Sequence, residues 1–407
     1  MNGGSSTRRY VTILFLGIAA ATLIAAAVNT RVDPWRVTRS PWADPALEPF
    51  RDISGSTRTG KAGLVRARDD WQIGIFGSSR VISSIDPQAA GWDGRKVVNL
   101  GMPGAFLYES IAMAEYFIAH QPAETVLFGI DPGDLTSPID TRPMSDFMSS
   151  PLNPNGALDR ELRYVVGLST FEESMETLGL RAKNRPGEYN PLGFRDRPGH
   201  ATMDRERQLK FIKGRFVDDA RLASDVGKTD RVNPDKAARL EDLMSLCRRK
   251  GIRLVLFLHP NHVLLQAKSA DAGHPEPPFG TDLRALAGMV AAANALPSDG
   301  PPVALWDFYS YHPINSERVR PLTGEPSDLI HWRDLEHFTK DVGDGMLSLM
   351  MSWPVANPDL RHYGEQVTPE NVEARIEALR VGYRDYLARE MDGDIAWKEQ
   401  LIRDAQR

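Results

Sequence analysis

The sequence predicts an α/β fold built on a parallel sheet and placed behind one N-terminal transmembrane helix. Three observations predict it. Short apolar runs alternate with longer helical stretches from residue 71 onward, the pattern of parallel strands joined by helical crossovers. Glycine-bearing turns close the first two runs, and an uncharged apolar stretch follows Arg8 and Arg9. The 407 residues, 42% hydrophobic and 25% charged, are enough to bury a large core, and the length suits one α/β domain with insertions. With 49 basic against 54 acidic residues and a net charge of −5, no strongly basic surface awaits a phosphate backbone, which argues against nucleic acid as a partner. The single cysteine, Cys247, excludes an internal disulfide framework and a zinc site of several thiolates.

The anchor comes first. Tyr10 to Val28 holds 19 residues without a charge, about 28 Å of helix against a hydrocarbon core of roughly 30 Å. Arg8 and Arg9 favour a cytoplasmic N-terminus, which puts the body on the extracytoplasmic side. Ala25 and Ala27 also offer an A-x-A-like cleavage site, but the run exceeds the roughly 7–15 apolar residues of an export signal, so an uncleaved anchor is the expectation. Residues 1–29 are therefore read as cytoplasmic tip and anchor. Residues 30–70, rich in Pro, Arg and Asp without periodicity, are read as a stalk.

In the body, five strands are expected: Gln72–Phe76, Lys96–Leu100, Thr125–Ile130, Arg253–Leu258 and Val303–Phe308. Leu107 to Ala119 supplies a crossover helix. Before the fourth strand, Asn233 can cap a helix, Pro234 suits its first turn, and Leu240, Leu243, Met244 and Cys247 recur at helical spacing up to Gly251. Cys247 then reads as a core thiol. The stretch at about 135–232 is far longer than a crossover needs and is expected as an insertion within a domain spanning 71–355. It carries Arg195, Arg197 and His200 near Pro and Gly and suits a lid or substrate surface. Residues 356–407 read as a charged helical extension.

Chemistry concentrates at the ends of the strands, where parallel sheets place reactive groups. The first strand runs into Gly77-Ser78-Ser79-Arg80. A serine here is either an exposed nucleophile beside backbone N–H groups or the cap of the next helix. The second strand ends Asn99-Leu100-Gly101-Met102-Pro103-Gly104, and Gly104 can donate an amide to an oxyanion. Near residue 330 the motif D-x-x-H occurs twice, as Asp328 with His331 and as Asp334 with His337. A carboxylate at i holds the tautomer of an imidazole at i+3. Asp334 with His337 is preferred, because Phe338 and then Val342 to Met346 look like the start of an amphipathic helix; Asp328 with His331 is the reserve. His259-Pro260-Asn261-His262 follows the fourth strand, and without a third ligand its histidines read as polar pocket residues rather than a metal site.

The order of these three blocks resembles the SGNH, or GDSL-like, hydrolase superfamily over roughly residues 71 to 352. It is most similar to the membrane-anchored branch of alginate O-acetyltransferase-like and teichoic-acid D-alanylation proteins. The resemblance implies a three-layer, flavodoxin-like α/β fold with a five-stranded parallel sheet. It further implies Ser79 as nucleophile, His337 as general base, Asp334 as its orienting partner, and the Ser79 and Gly104 amides as oxyanion donors. Where the family carries Gly-x-Asn-Asp after the third strand, this chain reads Gly129-Ile130-Asp131-Pro132-Gly133-Asp134. Asp131 therefore stands where an oxyanion-donating asparagine would.

The expected activity is acyl transfer through a serine ester, with water or a sugar hydroxyl as acceptor. Its expected substrates are O-acyl groups of an exopolysaccharide or cell-wall glycan at the outer face of the inner membrane. Arg80 and the arginines of the insertion can meet uronate or phosphate groups. No cofactor is expected, since no G-x-G-x-x-G or Walker pattern follows any strand. Expected partners are the membrane, an acylated polysaccharide, and a membrane-bound acyltransferase or polysaccharide export complex. The rival expectation is a non-catalytic envelope protein that keeps the fold and binds glycan or an export partner.

Overall fold

The structure, a computed structural model, describes residues 3–136, 145–195, 208–217, 231–265, 279–319 and 329–405. Its labelled helices begin with α1 (Gly3–Val32), α2 (Thr57–Arg66), α3 (Ser79–Ile82), α4 (Leu107–His120), α5 (Ser145–Ser149) and α6 (Ala157–Val166). They continue with α7 (Leu168–Ala182), α8 (Pro234–Lys250), α9 (Phe279–Ala295), α10 (Lys340–Met351), α11 (Val372–Glu390) and α12 (Asp394–Ala405). The chain forms two compact units, one of residues 1–69 and 143–195, the other of 70–142 and 196–407.

The larger unit is α/β. Its strands β1 (Ile73–Phe76), β2 (Val97–Asn99), β3 (Thr125–Ile130), β4 (Arg253–Leu258), β5 (Ala304–Asp307) and β6 (Glu365–Gln366) lie in the order β2-β1-β3-β4-β5-β6. The first five are parallel and β6 runs antiparallel to β5. All five expected strands are present, but the sheet is mixed and has six, which corrects the expectation of five. Two residues are too short a run to show any period. β6 is held instead from outside its own span, by Val367 N–H donating to the Leu305 carbonyl at 2.8 Å.

The parallel strands are buried on both faces, which is why they read as continuous apolar runs rather than alternating ones. Ile73, Ile75, Val97, Leu127, Val255 and Phe257 share a core with Trp332, Phe338 and the Val342, Met346, Leu347 and Met350 face of α10. On the other face Phe76 meets Phe117 of α4 edge-on, ring centroids 5.6 Å apart, and α4, α8 and α9 pack side by side. Helix α8 has the expected punctuation. The Asn233 side chain accepts from the Asp235 and Lys236 amides, and Gly251 takes φ +70° at the C-terminus. Cys247 on its inner face is buried, and burial pushes its thiol up to about 12.

The segment 356–407 is no appendage to this unit. It supplies β6, and Arg375 of α11 reaches the buried Asp307 at 2.8 Å. Tyr386 and Ile395 enter a core with Phe216, Val263 and Leu264.

The smaller unit corrects the picture of a stalk. Residues 30–69 are folded together with 143–195, the first half of the expected insertion. Helix α2 is buried along its length except at Arg66, which pairs with Glu161 at 2.9 Å. Helix α1 runs unbroken to Val32, with Tyr10, Ile13, Phe15, Leu16, Leu23 and Ile24 exposed. Its last two turns are covered by α6 and α7. There Asn29 is fully buried, its amide donating to the carbonyls of Val165 at 3.0 Å and Gly167 at 3.2 Å, while Ser174 Oγ donates to Asn29 Oδ1 at 3.2 Å. Asp33, at φ +42°, ends the helix, and Arg51 Nε donates to the Val32 carbonyl at 2.9 Å.

Candidate active site

The site lies in the larger unit, at the C-terminal ends of β1, β3 and β4, and begins with a sharp turn. After Phe76, Gly77 takes φ +144°, a conformation that side chains resist, and the chain turns directly into α3. Ser78 caps this turn, accepting from the Arg80 amide at 3.4 Å, and its hydroxyl donates to Asp131 Oδ1 at 3.1 Å. Ser79, one residue on, has its hydroxyl 2.8 Å from His337 Nε2. The two serines, equivalent by sequence, thus have separate roles: one holds the turn, the other meets the imidazole.

The imidazole is set by its own loop. His337 Nδ1 lies 2.8 Å from Asp334 Oδ2 and 3.0 Å from Oδ1, so Nδ1 carries the proton and Nε2 faces Ser79 as acceptor. Asp334 Oδ1 also accepts the amides of Glu336 at 2.7 Å and His337 at 2.8 Å. Burial pushes the Asp334 carboxyl up, but the bond and charge of His337 with these amides outweigh it and hold it below the usual carboxylate value. The loop is closed by the Trp332–Phe338 bridge, both rings being buried, and by Trp332 Nε1 donating to the Ile314 carbonyl at 2.6 Å. Ser84 Oγ donates to the Phe338 carbonyl at 2.6 Å, tying the loop to the end of the serine turn.

The second turn lies against the first. Met102 N–H donates to the Gly77 carbonyl at 3.0 Å, and Asn99 donates to the carbonyls of Val81 at 2.8 Å and Ile85 at 3.0 Å. Asn99 is therefore a buried staple under α3. Gly104, two residues after Met102, takes φ +58° and faces open space.

Arg80 differs from the expected substrate contact. It is buried and turned inward. Its Nε pairs with Asp131 Oδ1 at 2.9 Å, and Nη1 donates to the Pro260 carbonyl at 3.2 Å, the Asn261 side chain and the Glu336 carbonyl at 3.4 Å. One guanidinium thus joins the turns after β1, β3 and β4 to the His337 loop. Arg215 pairs with Glu336 at 2.6 Å from the far side. Asn261 lies in the turn after β4 that the sequence marks as pocket-lining, whereas Glu336 and Arg215 escaped the sequence reading.

Asp131 Oδ1 accepts from Ser78 and is ion-paired with Arg80, so it is a held acceptor and no oxyanion donor. His259 is wholly buried against Gly129, where an added Cβ would lie 2.3 Å from its Nε2. Neither ring nitrogen has a hydrogen-bond partner among the described residues, Nε2 standing 3.8 Å from Asp131 Oδ1. Burial above all depresses His259 to about 3, which keeps it neutral. His262 is committed to the backbone, Nε2 donating to the Glu317 carbonyl at 2.7 Å and Nδ1 accepting the Leu264 amide at 3.2 Å. Among the described residues no three metal-type ligands converge.

The reserve histidine is engaged elsewhere: His331 Nδ1 lies 2.5 Å from Glu317 Oε1. Asp328 lies outside the described residues, as do Arg197 and His200. Arg195, in the smaller unit, pairs with Glu188 and stacks over Tyr189, 5.5 Å from its ring centroid.

Comparison with known proteins adds no name to this geometry. No protein-family model matches the chain, and no curated protein matches it.

Proposed function

We propose that this chain is a membrane-anchored serine acyltransferase or esterase of the SGNH type, acting on O-acyl groups of an extracytoplasmic glycan. One observation carries the reading: Ser79 Oγ, His337 Nε2 and Nδ1, and the Asp334 carboxylate stand in hydrogen-bonding sequence at 2.8 Å and 2.8 Å. The first five strands in the order β2-β1-β3-β4-β5, with helices on both faces, support the three-layer fold of that superfamily. An apolar helix long enough to cross a membrane, behind Arg8 and Arg9, supports an extracytoplasmic body, and hence a polymer substrate made or modified at that surface.

In the proposed reaction Ser79 Oγ bonds to the acyl carbonyl carbon as its proton passes to His337 Nε2. Asp334 stabilises the imidazolium, and the backbone amides of Ser79 and Gly104 take the charge on the carbonyl oxygen. Collapse breaks the bond to the leaving alcohol, which takes the proton from His337 and leaves an acyl ester on Ser79. Water or a sugar hydroxyl then gives its proton to His337 and bonds to the acyl carbon, and as the bond to Ser79 Oγ breaks, His337 returns the proton to Ser79, releasing the acid or the acylated sugar. Water makes the enzyme an esterase, a sugar hydroxyl a transferase.

Labelling of the full chain by a fluorophosphonate tests the reading. Wild type is expected to label, and Ser79→Ala and His337→Ala are not; an unlabelled but folded wild type overturns catalysis. The second reading, a glycan-binding or export-complex protein on the same fold, is favoured by Asp131, which accepts hydrogen bonds where the superfamily supplies a donor.

A further inference from the structure

We infer that the α6–α7 elbow is a second membrane contact, a face that seats Leu158, Leu162, Val166 and Leu168 in the headgroup region of the bilayer that α1 crosses. The inference rests on the reading of α1 as a membrane anchor. The outer side of helix α6 is divided between the exposed Asp159–Arg163 pair and an apolar stripe. Arg160 and Tyr164 point inward, Arg160 donating to the Asn153 carbonyl at 2.7 Å and Tyr164 to the Ser149 carbonyl at 2.7 Å. Leu158, Leu162 and Val166, spaced i, i+4, i+8 on the other face, are 77%, 55% and 40% exposed, and Leu168 at the start of α7 is 71% exposed. Four apolar side chains in one stripe of a single elbow are more than the scattered exposure an aqueous surface shows.

The height of this elbow says what covers it. The buried Asn29 is bonded to the carbonyls of Val165 and Gly167, the elbow itself. One turn earlier, Ala25, Ala26 and Val28 are already half-buried, and they belong to the uncharged run that ends at Val28. At about 1.5 Å per residue, that last turn of the run lies within roughly 5 Å of the edge of the hydrocarbon. The elements packed on it therefore stand at the level of the lipid headgroups. Trp42 is 66% exposed and accepts from Arg31 through its carbonyl, so an aromatic ring stands at the same end of α1, as in the interfacial belts of membrane proteins. An amphipathic helix at this depth lies in the plane of the interface with its apolar side about 5–10 Å into the acyl boundary. A lipid surface is thus the occupant that the geometry supplies.

The test uses the full chain in vesicles of phosphatidylethanolamine and phosphatidylglycerol. An environment-sensitive thiol fluorophore is placed at L162C, at R163C on the charged side of the same helix, or at A20C within α1. Cys247 is buried and stays unlabelled in the folded protein. Lipids quenching near the headgroup should dim the label at 162 roughly twofold, as expected for a side chain about 5–10 Å into the boundary, and leave the label at 163 near its initial emission. Deep-chain quenchers should dim the label at 20. If 162 behaves as 163 does while 20 is quenched, the docking face is overturned and the anchor stands. Loss of quenching at 20, with failure to float with the vesicles, overturns the anchor and the docking face together.

Discussion

The Ser84 hydroxyl donates to the Phe338 carbonyl at 2.6 Å, joining two segments that lie 254 residues apart in sequence. Ser84 follows the short helix that begins with Ser79, and Phe338 follows His337, so this bond helps set the spacing of Ser79 and His337 from behind. Ser84→Ala leaves a buried carbonyl unpaired, at a cost of about 1–3 kcal/mol. A lower melting temperature is expected, together with a fall in kcat larger than any change in KM, because Ser84 is buried and acts through the loop it holds. Equal kcat in variant and wild type would show that the spacing is set elsewhere.

Asp334→Asn is expected to keep the loop but lose the tautomer. The amide can present its NH2 to His337 Nδ1, and Nε2 then carries the proton and no longer accepts from Ser79. A loss of about 10⁴-fold in kcat follows, with fluorophosphonate labelling slowed in proportion. The same carboxyl contributes to stability against acid. Its folded value lies below the ordinary 3.8, so its contribution is complete above 3.8 and is lost as pH falls through the folded value. The variant should lack that portion of the acid transition in a melting-temperature series.

Asp131→Asn is expected to raise activity. In the wild type Oδ1 accepts from Ser78 and is ion-paired with Arg80, and among the described residues Oδ2 accepts from no group. An asparagine can keep the Ser78 bond through Oδ1 and present an N–H where Oδ2 now stands. A restored oxyanion donor is worth about 10²-fold in kcat, offset by a weaker bond to Arg80 that should lower the melting temperature slightly. Unchanged or reduced turnover in a folded variant would count for the glycan-binding reading.

Glu317→Gln is expected to change how stability depends on pH. The hydrogen bond and charge of Glu317 raise His331 above 6.5. That contribution is complete below 6.5 and is lost as pH rises through the raised folded value. The wild type should therefore exceed the variant in melting temperature on the acid side, with the gap closing on the alkaline side. A constant gap across that range would mean that His331 does not titrate with the fold.

Much of the sheet was legible because parallel strands buried on both faces leave unbroken apolar runs, and β3 and β4 coincide with theirs residue for residue. The i, i+3 spacing of Asp334 and His337 was legible for a local reason: one turn brings both to the same side. Composition and spacing left open which serine meets the histidine, and only the family resemblance singled out Ser79, since the choice depends on φ at Gly77 and on Asp131 reaching Ser78 across the sheet. Arg80, a basic residue after a serine turn, looked like a substrate contact, and only folding reveals the acceptors from three other loops. The smaller unit was misread for a different reason. In α6 the period is present but inverted, with Arg160 and Tyr164 buried and Leu158 and Leu162 exposed, so the usual polar-out rule points to the wrong face.

The buried Asn29 makes α1 a rod rather than a tether. A flexible linker lets a tethered body wander over several nanometres. Here the last turns of α1 are bolted to α6 and α7, so tilting or rotating the helix tilts or rotates that whole unit with it. A partner that grips the exposed sides of α1 therefore steers the unit without ever touching it.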